Sequence, residues 1–228
     1  MSAFRTLFFA ALIAGVAAGL ATSVVQAARL WPLIAAAEVL EAAEHGSHGH
    51  DHSGPAEPAW SPDGALRDAL TVVFNVAVGL GFGLVLNALA RLASLRSGRG
   101  FTVGEGVLWG AAGFAAFGLA PALGLPPELP GMVGGNLQAR QIWWIATALS
   151  TAGGIGLLTM SAGMWRAAGI VLIVLPHLVG APHGQGYGNI PGEMGAAFAA
   201  ASLVASAVFW VVLGAMSGWA QERLTPAV

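Results

Sequence analysis

Long apolar stretches separated by short polar segments dominate the chain. A helix rises about 1.5 Å per residue and the hydrocarbon layer is about 30 Å thick, so one crossing needs about 20 apolar residues. The pattern predicts six crossings, and the fifth is the weakest because it is short and ends in Pro176-His177. If that segment were re-entrant, the count would be five. The predicted spans cover residues 6–28, 69–90, 103–123, 139–160, 164–181 and 195–220.

The first apolar segment allows two interpretations. Arg5, the apolar stretch and Val25-Gln26-Ala27 resemble a secretory signal with a small-residue cleavage site. The apolar core of such a signal usually has about 7 to 15 residues, whereas this one approaches a full crossing. The length therefore favours a retained membrane span.

Composition indicates the same protein class. Of the 228 residues, 56% are hydrophobic and only 9% are charged, with no lysine, whereas soluble domains carry about 25% charged residues. We therefore predict an all-α integral membrane protein, a bundle of six or five transmembrane helices forming a single membrane domain over residues 1–228. Because there are no cysteines, thiolate metal sites and disulfides are excluded. The net charge of -2 gives no reason to expect nucleic acid as a partner.

The arginines predict an orientation, because cytoplasmic loops retain positive charge. With the N-terminus inside, six arginines fall on the inner side and three on the outer side. The inner set is Arg5, Arg91, Arg96, Arg99, Arg166 and Arg223, and the outer set is Arg29, Arg67 and Arg140. The segment between the first two spans is then an outer loop.

That outer loop, residues 45–66, is rich in histidine. Four of the six histidines of the chain lie within eight residues: His45, His48, His50 and His52. Neutral imidazole is the commonest protein ligand for borderline divalent metals, and short His-rich tracts are typical of metal binding. The sequence therefore predicts a flexible metal-collecting loop beside the membrane.

A short acidic helix precedes the loop. Glu38, Glu41 and His45 are spaced so that they share one helical face. Such a nitrogen and oxygen donor set suits Co, Ni, Zn or Mn, and a fourth ligand could come from His48 or His183. The alternative is a solvated acidic helix that binds no metal. By the Irving–Williams order copper would outcompete cobalt at an unconstrained site, so the loop alone does not name the ion.

Polar residues inside the spans are further candidates. Asn75, Asn87, Glu105 and His177 are costly in a membrane, so each is a candidate for an ion pathway or metal site, although some only bridge helices. Small residues also recur: three glycine pairs, 15/19, 79/83 and 214/218, have GxxxG spacing, which predicts close helix packing.

Taken in order, the motifs resemble the CbtA family of probable cobalt transporter subunits over essentially the whole chain. The His-rich loop is one such feature. The other segments that carry the resemblance are Trp31–Glu41, Trp60–Gly64, Leu108–Phe117, Leu119–Gly131, Ala139–Trp144, Leu175–Pro182 and Phe209–Gly214.

The resemblance implies a cobalt permease component of the bacterial inner membrane that supplies cobalamin synthesis, with the His-rich loop in the periplasm. It also implies a small single-span partner with its own His-rich tail, and five spans. It carries the roles of Glu38, Glu41, the loop histidines and His177 onto this chain. Co²⁺ is then transported cargo, with Ni²⁺ and Zn²⁺ as alternatives, and no cofactor is permanently bound. Apart from this resemblance, the expected partners are the lipid bilayer and, as an alternative, further copies of the same chain in a homo-oligomer.

Two other function classes stay open. One is a membrane-anchored metallochaperone or sensor without transport; the other is a membrane enzyme or assembly factor using His177 with Glu105 or Glu193. The sequence contains neither G-x-S-x-G nor H-E-x-x-H, so we predict no enzyme. It also contains no ATP-binding P-loop, so we expect uptake to follow the membrane potential, worth about 2.3 kcal/mol per charge per 100 mV, or to depend on partner subunits.

Overall fold

A computed structural model describes residues 3–47, 64–98, 100–184 and 188–224, and every regular element in these ranges is helical. A π-helical turn, Ala115–Leu119, lies within the helical segment Val103–Gly124. The predicted all-α membrane fold is confirmed. The helices are α1 (Ala3–Arg29), α2 (Trp31–Ser47), α3 (Gly64–Ser97), α4 (Val103–Phe114), α5 (Ala120–Gly124), α6 (Leu137–Met160), α7 (Met164–Val179) and α8 (Gly192–Leu224).

The described helices include five that are long and apolar enough to cross a membrane: α1, α3, the continuous α4–α5 segment, α6 and α8. This is the lower of the two counts that the sequence allows. The segment predicted as a fifth span, residues 164–181, forms the shorter apolar helix α7 of 16 residues. At about 1.5 Å per residue, α7 is about 24 Å long, less than the about 30 Å of the hydrocarbon layer.

Helix α7 nevertheless runs back along α6. The indole Nε1 of Trp143 donates a hydrogen bond of 3.2 Å to the carbonyl of Pro176, and Gly154 packs against Gly169. The two helices are therefore antiparallel, and α7 returns the chain to the end of the bundle at which α6 begins.

The two ends of the bundle differ in character. One end, here called the α2 end, carries α2, the loop 125–136 and the described part of the loop 180–191. These loops touch, since a Cβ at Gly135 would lie 2.9 Å from the carbonyl oxygen of Pro182. The opposite end, here called the arginine-rich end, carries Arg5, Arg91, Arg96, Arg166 and Arg223.

Glycines allow the closest helix contacts. A Cβ at Gly15 would lie 2.6 Å from the carbonyl carbon of Gly79, and one at Gly214 would collide with the carbonyl oxygen of Gly106. The first contact joins α1 to α3 and the second joins α4 to α8. The prediction that GxxxG pairs bring helices together is confirmed, because backbones approach this closely only where no side chain intervenes.

The π-helical turn follows from the proline after it. Pro121 has no backbone N–H and cannot continue the regular ladder, and the Ala120 N–H bonds five residues back to the Ala115 carbonyl. Phe117 lies inside this turn, and its ring faces Phe82 and Trp210.

Helix α2 lies over the α2 end of the bundle. Ala37 is fully buried in a cluster with Leu30, Leu129, Ile190 and Phe198, which belong to the adjoining loops and to α8. The predicted loop 45–66 is shorter in the structure, because α2 continues to residue 47 and α3 begins at residue 64. The segment 48–63 lies outside the described residues.

Candidate functional site

The acidic helix predicted to receive metal is α2, but its glutamates differ in their contacts. Glu38 is exposed and accepts a hydrogen bond of 2.8 Å from Arg67, a residue of the first turns of α3. Glu41 is half-buried near the loop glycine Gly131. The backbone of His45 continues α2, and its side chain lies outside the described part of the structure. Glu38 is therefore already matched to a cation, the Arg67 guanidinium.

The predicted histidine ligands are dispersed. His48, His50 and His52 lie outside the described residues. His183 is exposed in the loop after α7, and His177 packs edge-to-face against Trp143, with ring centroids 5.9 Å apart. His177 thus bridges α6 and α7. Within residues 3–47, 64–98, 100–184 and 188–224, no three His, Asp or Glu side chains come together as a metal site. The predicted metal ligands stay a prediction.

Glu105 has a structural use at the start of α4. Its carboxylate accepts a hydrogen bond of 3.1 Å from the Thr102 backbone N–H, and the Thr102 hydroxyl accepts one from the Glu105 N–H. This reciprocal pair is a capping box, which satisfies backbone donors that a helix start leaves free. A residue bound in this way is explained without a role in an ion pathway.

Asn75, by contrast, lines a cavity between α1, α3, α6, α8 and the π-helical turn, and most of the wall of this cavity is apolar. Its amide donates to Ser23 Oγ at 3.0 Å and to Gln26 Oε1 at 2.6 Å. The cavity has a volume of about 320 Å³. Its polar lining consists of Thr22, Gln26, Asn75, Ser202 and Ser206.

A larger cavity of about 680 Å³ adjoins the first and extends to the α2 end. The two cavities share four lining residues, among them Ser202 and Ser206 of α8. Glu128 and Arg140 line the larger one and form an ion pair of 2.5 Å. Because this pair neutralises its own charges, the mouth of the cavity carries no uncompensated positive charge from Arg140.

Asn87 is the centre of a second polar group, nearer the arginine-rich end. The residue is fully buried, and its amide donates 2.9 Å to Ser217 Oγ and accepts 2.7 Å from Gln221 Nε2. Gln221 also lines a small cavity of about 160 Å³ with Arg91 and Glu222. Asn75 and Asn87 were predicted as pathway residues, and the structure puts them in two separate polar regions.

Four polar residues of α8 escaped the sequence analysis. Ser202, Ser206, Ser217 and Gln221 follow one helical face at spacings of four, eleven and four residues. That face was visible as a pattern, but serine in a membrane helix is also typical of simple packing. Only the cavities and the hydrogen bonds of Asn87 distinguish these serines from packing residues.

Comparison with known protein families decides the class. The model of the family described as probable cobalt transporter subunit (CbtA) matches residues 4–222. The chain belongs to the CbtA family. The resemblance read from the sequence motifs is thereby confirmed, and the multi-pass helical fold agrees with a membrane transporter subunit. CbtA is described as a transporter subunit and not as an enzyme. No curated protein and no solved structure gives a match.

Proposed function

We propose that this CbtA protein is the membrane-spanning subunit of a system that takes up Co²⁺ through the bacterial inner membrane for cobalamin synthesis. The observation that carries the proposal is the family match over residues 4–222, together with five helices of membrane length. The two adjoining cavities, which begin at the α2 end and carry polar groups in their walls, offer a transported ion an entrance.

The orientation is part of the proposal. Five arginines of the described chain gather at the arginine-rich end, which the positive-inside rule assigns to the cytoplasm. The α2 end and the His-rich segment then face the periplasm. In this arrangement the segment containing His48, His50 and His52 collects the ion, and Glu38, Glu41 and His45 of α2 pass it towards the cavity.

The partner and the energy source belong to the same proposal. A small single-span subunit with a His-rich tail would raise the local metal concentration at the α2 end. A dication moving inwards gains about 2.3 kcal/mol per charge per 100 mV of membrane potential. An ion that binds transiently needs no further coupling to move down such a gradient. Ni²⁺ and Zn²⁺ would compete at the same oxygen and nitrogen donors.

Cobalt accumulation in cells without their own cobalt uptake system tests the proposal. The chain is expressed alone and with its small partner, and compared with a variant in which His45, His48, His50 and His52 are alanine. We expect uptake with the intact chain, and a loss with the variant that is largest at low external Co²⁺. Gln138→Ala, on the exposed surface of α6 outside the cavities, is the matched control.

A different result would select the alternative function. If no combination accumulates cobalt while the purified protein binds Co²⁺, the protein is a membrane-anchored metal-binding protein. If uptake is present and unaffected by the four substitutions, the transporter proposal stands and the capture step is wrong.

A further inference from the structure

We propose that ions cross this protein along the seam between α1, α3 and α8, through two cavities that each carry polar groups and that an aromatic plug separates. Of these two, the cavity nearer the α2 end is a waiting site for a hydrated divalent cation. This inference rests on the proposed transport function and specifies the route within it.

The waiting site is the cavity of about 320 Å³ described above. At about 30 Å³ per water molecule it has room for about ten waters, enough for a divalent ion with a shell of about six. Its polar groups are the hydroxyls and amides of Thr22, Gln26, Asn75, Ser202 and Ser206. The rest of its wall is apolar and includes the aromatic side chains of Phe82, Phe117, Phe209 and Trp210. Oxygen donors without charge hold an ion weakly, and conduction requires that a bound ion can leave again.

Thr22 places a buried hydroxyl in the wall of this cavity, whereas Thr147 and Thr151, whose hydroxyls are also unpartnered, line none of the three cavities. Thr22 is only 6% exposed, and its hydroxyl Oγ1 is buried without a hydrogen-bond partner. It also lines the cavity wall. Buried polar groups are almost always satisfied, so an orphan hydroxyl in a cavity wall calls for water or an ion there.

Below the waiting site the seam closes. The ring of Phe82 lies 4.9 Å from that of Trp210 and 5.3 Å from that of Phe117, and Phe209 packs against both Phe82 and Trp210. Leu213, fully buried one turn further along α8, continues the apolar layer. Hydrophobic constrictions of this kind stop ions because water does not fill them.

Polar groups resume on the far side of the plug. Ser217 and Gln221 bond to the buried Asn87, and Gln221 opens onto the cavity of about 160 Å³ at the arginine-rich end. From Ser206 to Ser217 the helix rises about 16 Å, the thickness of the closed layer. The described structure is therefore open to the α2 end and closed to the other.

Cysteine accessibility tests this route, because the chain has no native cysteine. Ser206→Cys and Ser217→Cys are nearly isosteric and sit on the two sides of the plug. Cells or vesicles with the α2 end outward are treated with a membrane-impermeant cationic thiosulfonate reagent, and modification is read from the mass of the purified protein. We expect Ser206→Cys to react at least tenfold faster than Ser217→Cys.

Metal protection identifies the occupant of the waiting site. Co²⁺ should slow the modification of Ser206→Cys several-fold, and Mg²⁺ should slow it less. Val133→Cys, exposed in the loop at the α2 end, is the control and should react at the same rate with and without metal. Equal protection at both positions would show that the metal acts on the reagent or on any thiol, and would overturn the waiting site.

A substitution in the plug tests whether the aromatic rings close the route. In a Phe82→Ala background that remains monodisperse, Ser217→Cys should become reactive from the α2 end, with a gain of about tenfold or more in rate. A Ser206→Cys protein that transports cobalt but reacts as slowly as Ser217→Cys would place the route elsewhere. Absence of cobalt uptake with the unsubstituted chain would instead refute the proposed function, regardless of the modification rates of the cysteine variants.

Discussion

Asn75 and Asn87 have the same amide side chain, but they differ in burial and in hydrogen bonding. Asn87 is fully buried and bonded to Gly83, Ser217 and Gln221, so water reaches none of its polar atoms. Asn75 is only partly buried and lies at the wall of a cavity. The sequence ranked both equally as pathway candidates, because each is an amide in an apolar span.

This difference predicts unequal losses of stability. Asn87→Ala should lower the free energy of unfolding by about 1–3 kcal/mol, because it leaves Ser217 and Gln221 buried without their partner. Asn75→Ala should cost less than about 1 kcal/mol, because cavity water can replace its bonds to Ser23 and Gln26. Denaturant titration in mild detergent measures both, and equal losses would contradict the assignment of water to the cavity.

Substitutions of Glu38 and of Arg67 should change cobalt accumulation in opposite directions. Both side chains are about four-tenths exposed, 44% and 42%, so the ion pair itself contributes little to stability. If Glu38 receives metal, Glu38→Ala should lower cobalt accumulation at low external metal. Arg67→Ala should raise it, because the competing guanidinium is gone.

The outcome is read from initial rates of accumulation at several Co²⁺ concentrations, with protein levels in the membrane as the control. Two variants that behave alike would mean that Glu38 only pairs with Arg67. The sequence grouped Glu38 with Glu41 by helical spacing. That spacing could not show that Arg67, 29 positions away, pairs with Glu38.

At the scale of helices, glycine spacing was the most informative pattern. The pairs 15/19, 79/83 and 214/218 all lie at helix contacts, whereas Gly156 meets nothing within 4 Å. In α6 the contact is made by Gly154, which packs against Gly169 of α7. Spacing identifies a face that permits close approach, and the neighbouring helix determines whether that face is used.

Two alanine substitutions distinguish these glycines. Gly214→Ala should destabilise the protein by about 1–3 kcal/mol, because its methyl group would collide with the carbonyl oxygen of Gly106. Gly156→Ala should be neutral or stabilising by up to about 1 kcal/mol, since alanine is the better helix former and the site is open. Thermal unfolding in one detergent compares them, and a destabilised Gly156→Ala would contradict the packing of α6.

For the whole molecule, α7 decides how many times the chain crosses. It is shorter than a full span, yet its contacts with α6 return residues 180–184 to the side of residues 131–135. The expectation of six crossings rested on the positions of Arg166 and Arg223, and the expectation of five on length. The structure satisfies the length criterion for five helices and still brings α7 back to the α2 end.

Single cysteines settle the crossing of α7. Ser161→Cys lies between α6 and α7, and His183→Cys lies after α7. We expect an impermeant maleimide to label His183→Cys and the control Val133→Cys in intact spheroplasts, and Ser161→Cys only after permeabilisation. Labelling of Ser161→Cys and His183→Cys from the same side would mean that α7 does not cross.

The sequence by itself determined the class of this protein, the positions of its long apolar helices and its family, because apolar length and motif order are properties of the linear chain. It also identified the glycines, since their spacing along a helix is fixed by the helical repeat. What only the tertiary structure decided is which distant polar groups meet. The Thr102 and Glu105 capping box is local, since its spacing is already present in the sequence. The contacts of Glu38 with Arg67, and of Asn87 with Ser217 and Gln221, join distant parts of the chain. The cavities depend on how the helices splay, so no local pattern contains these contacts or the cavities.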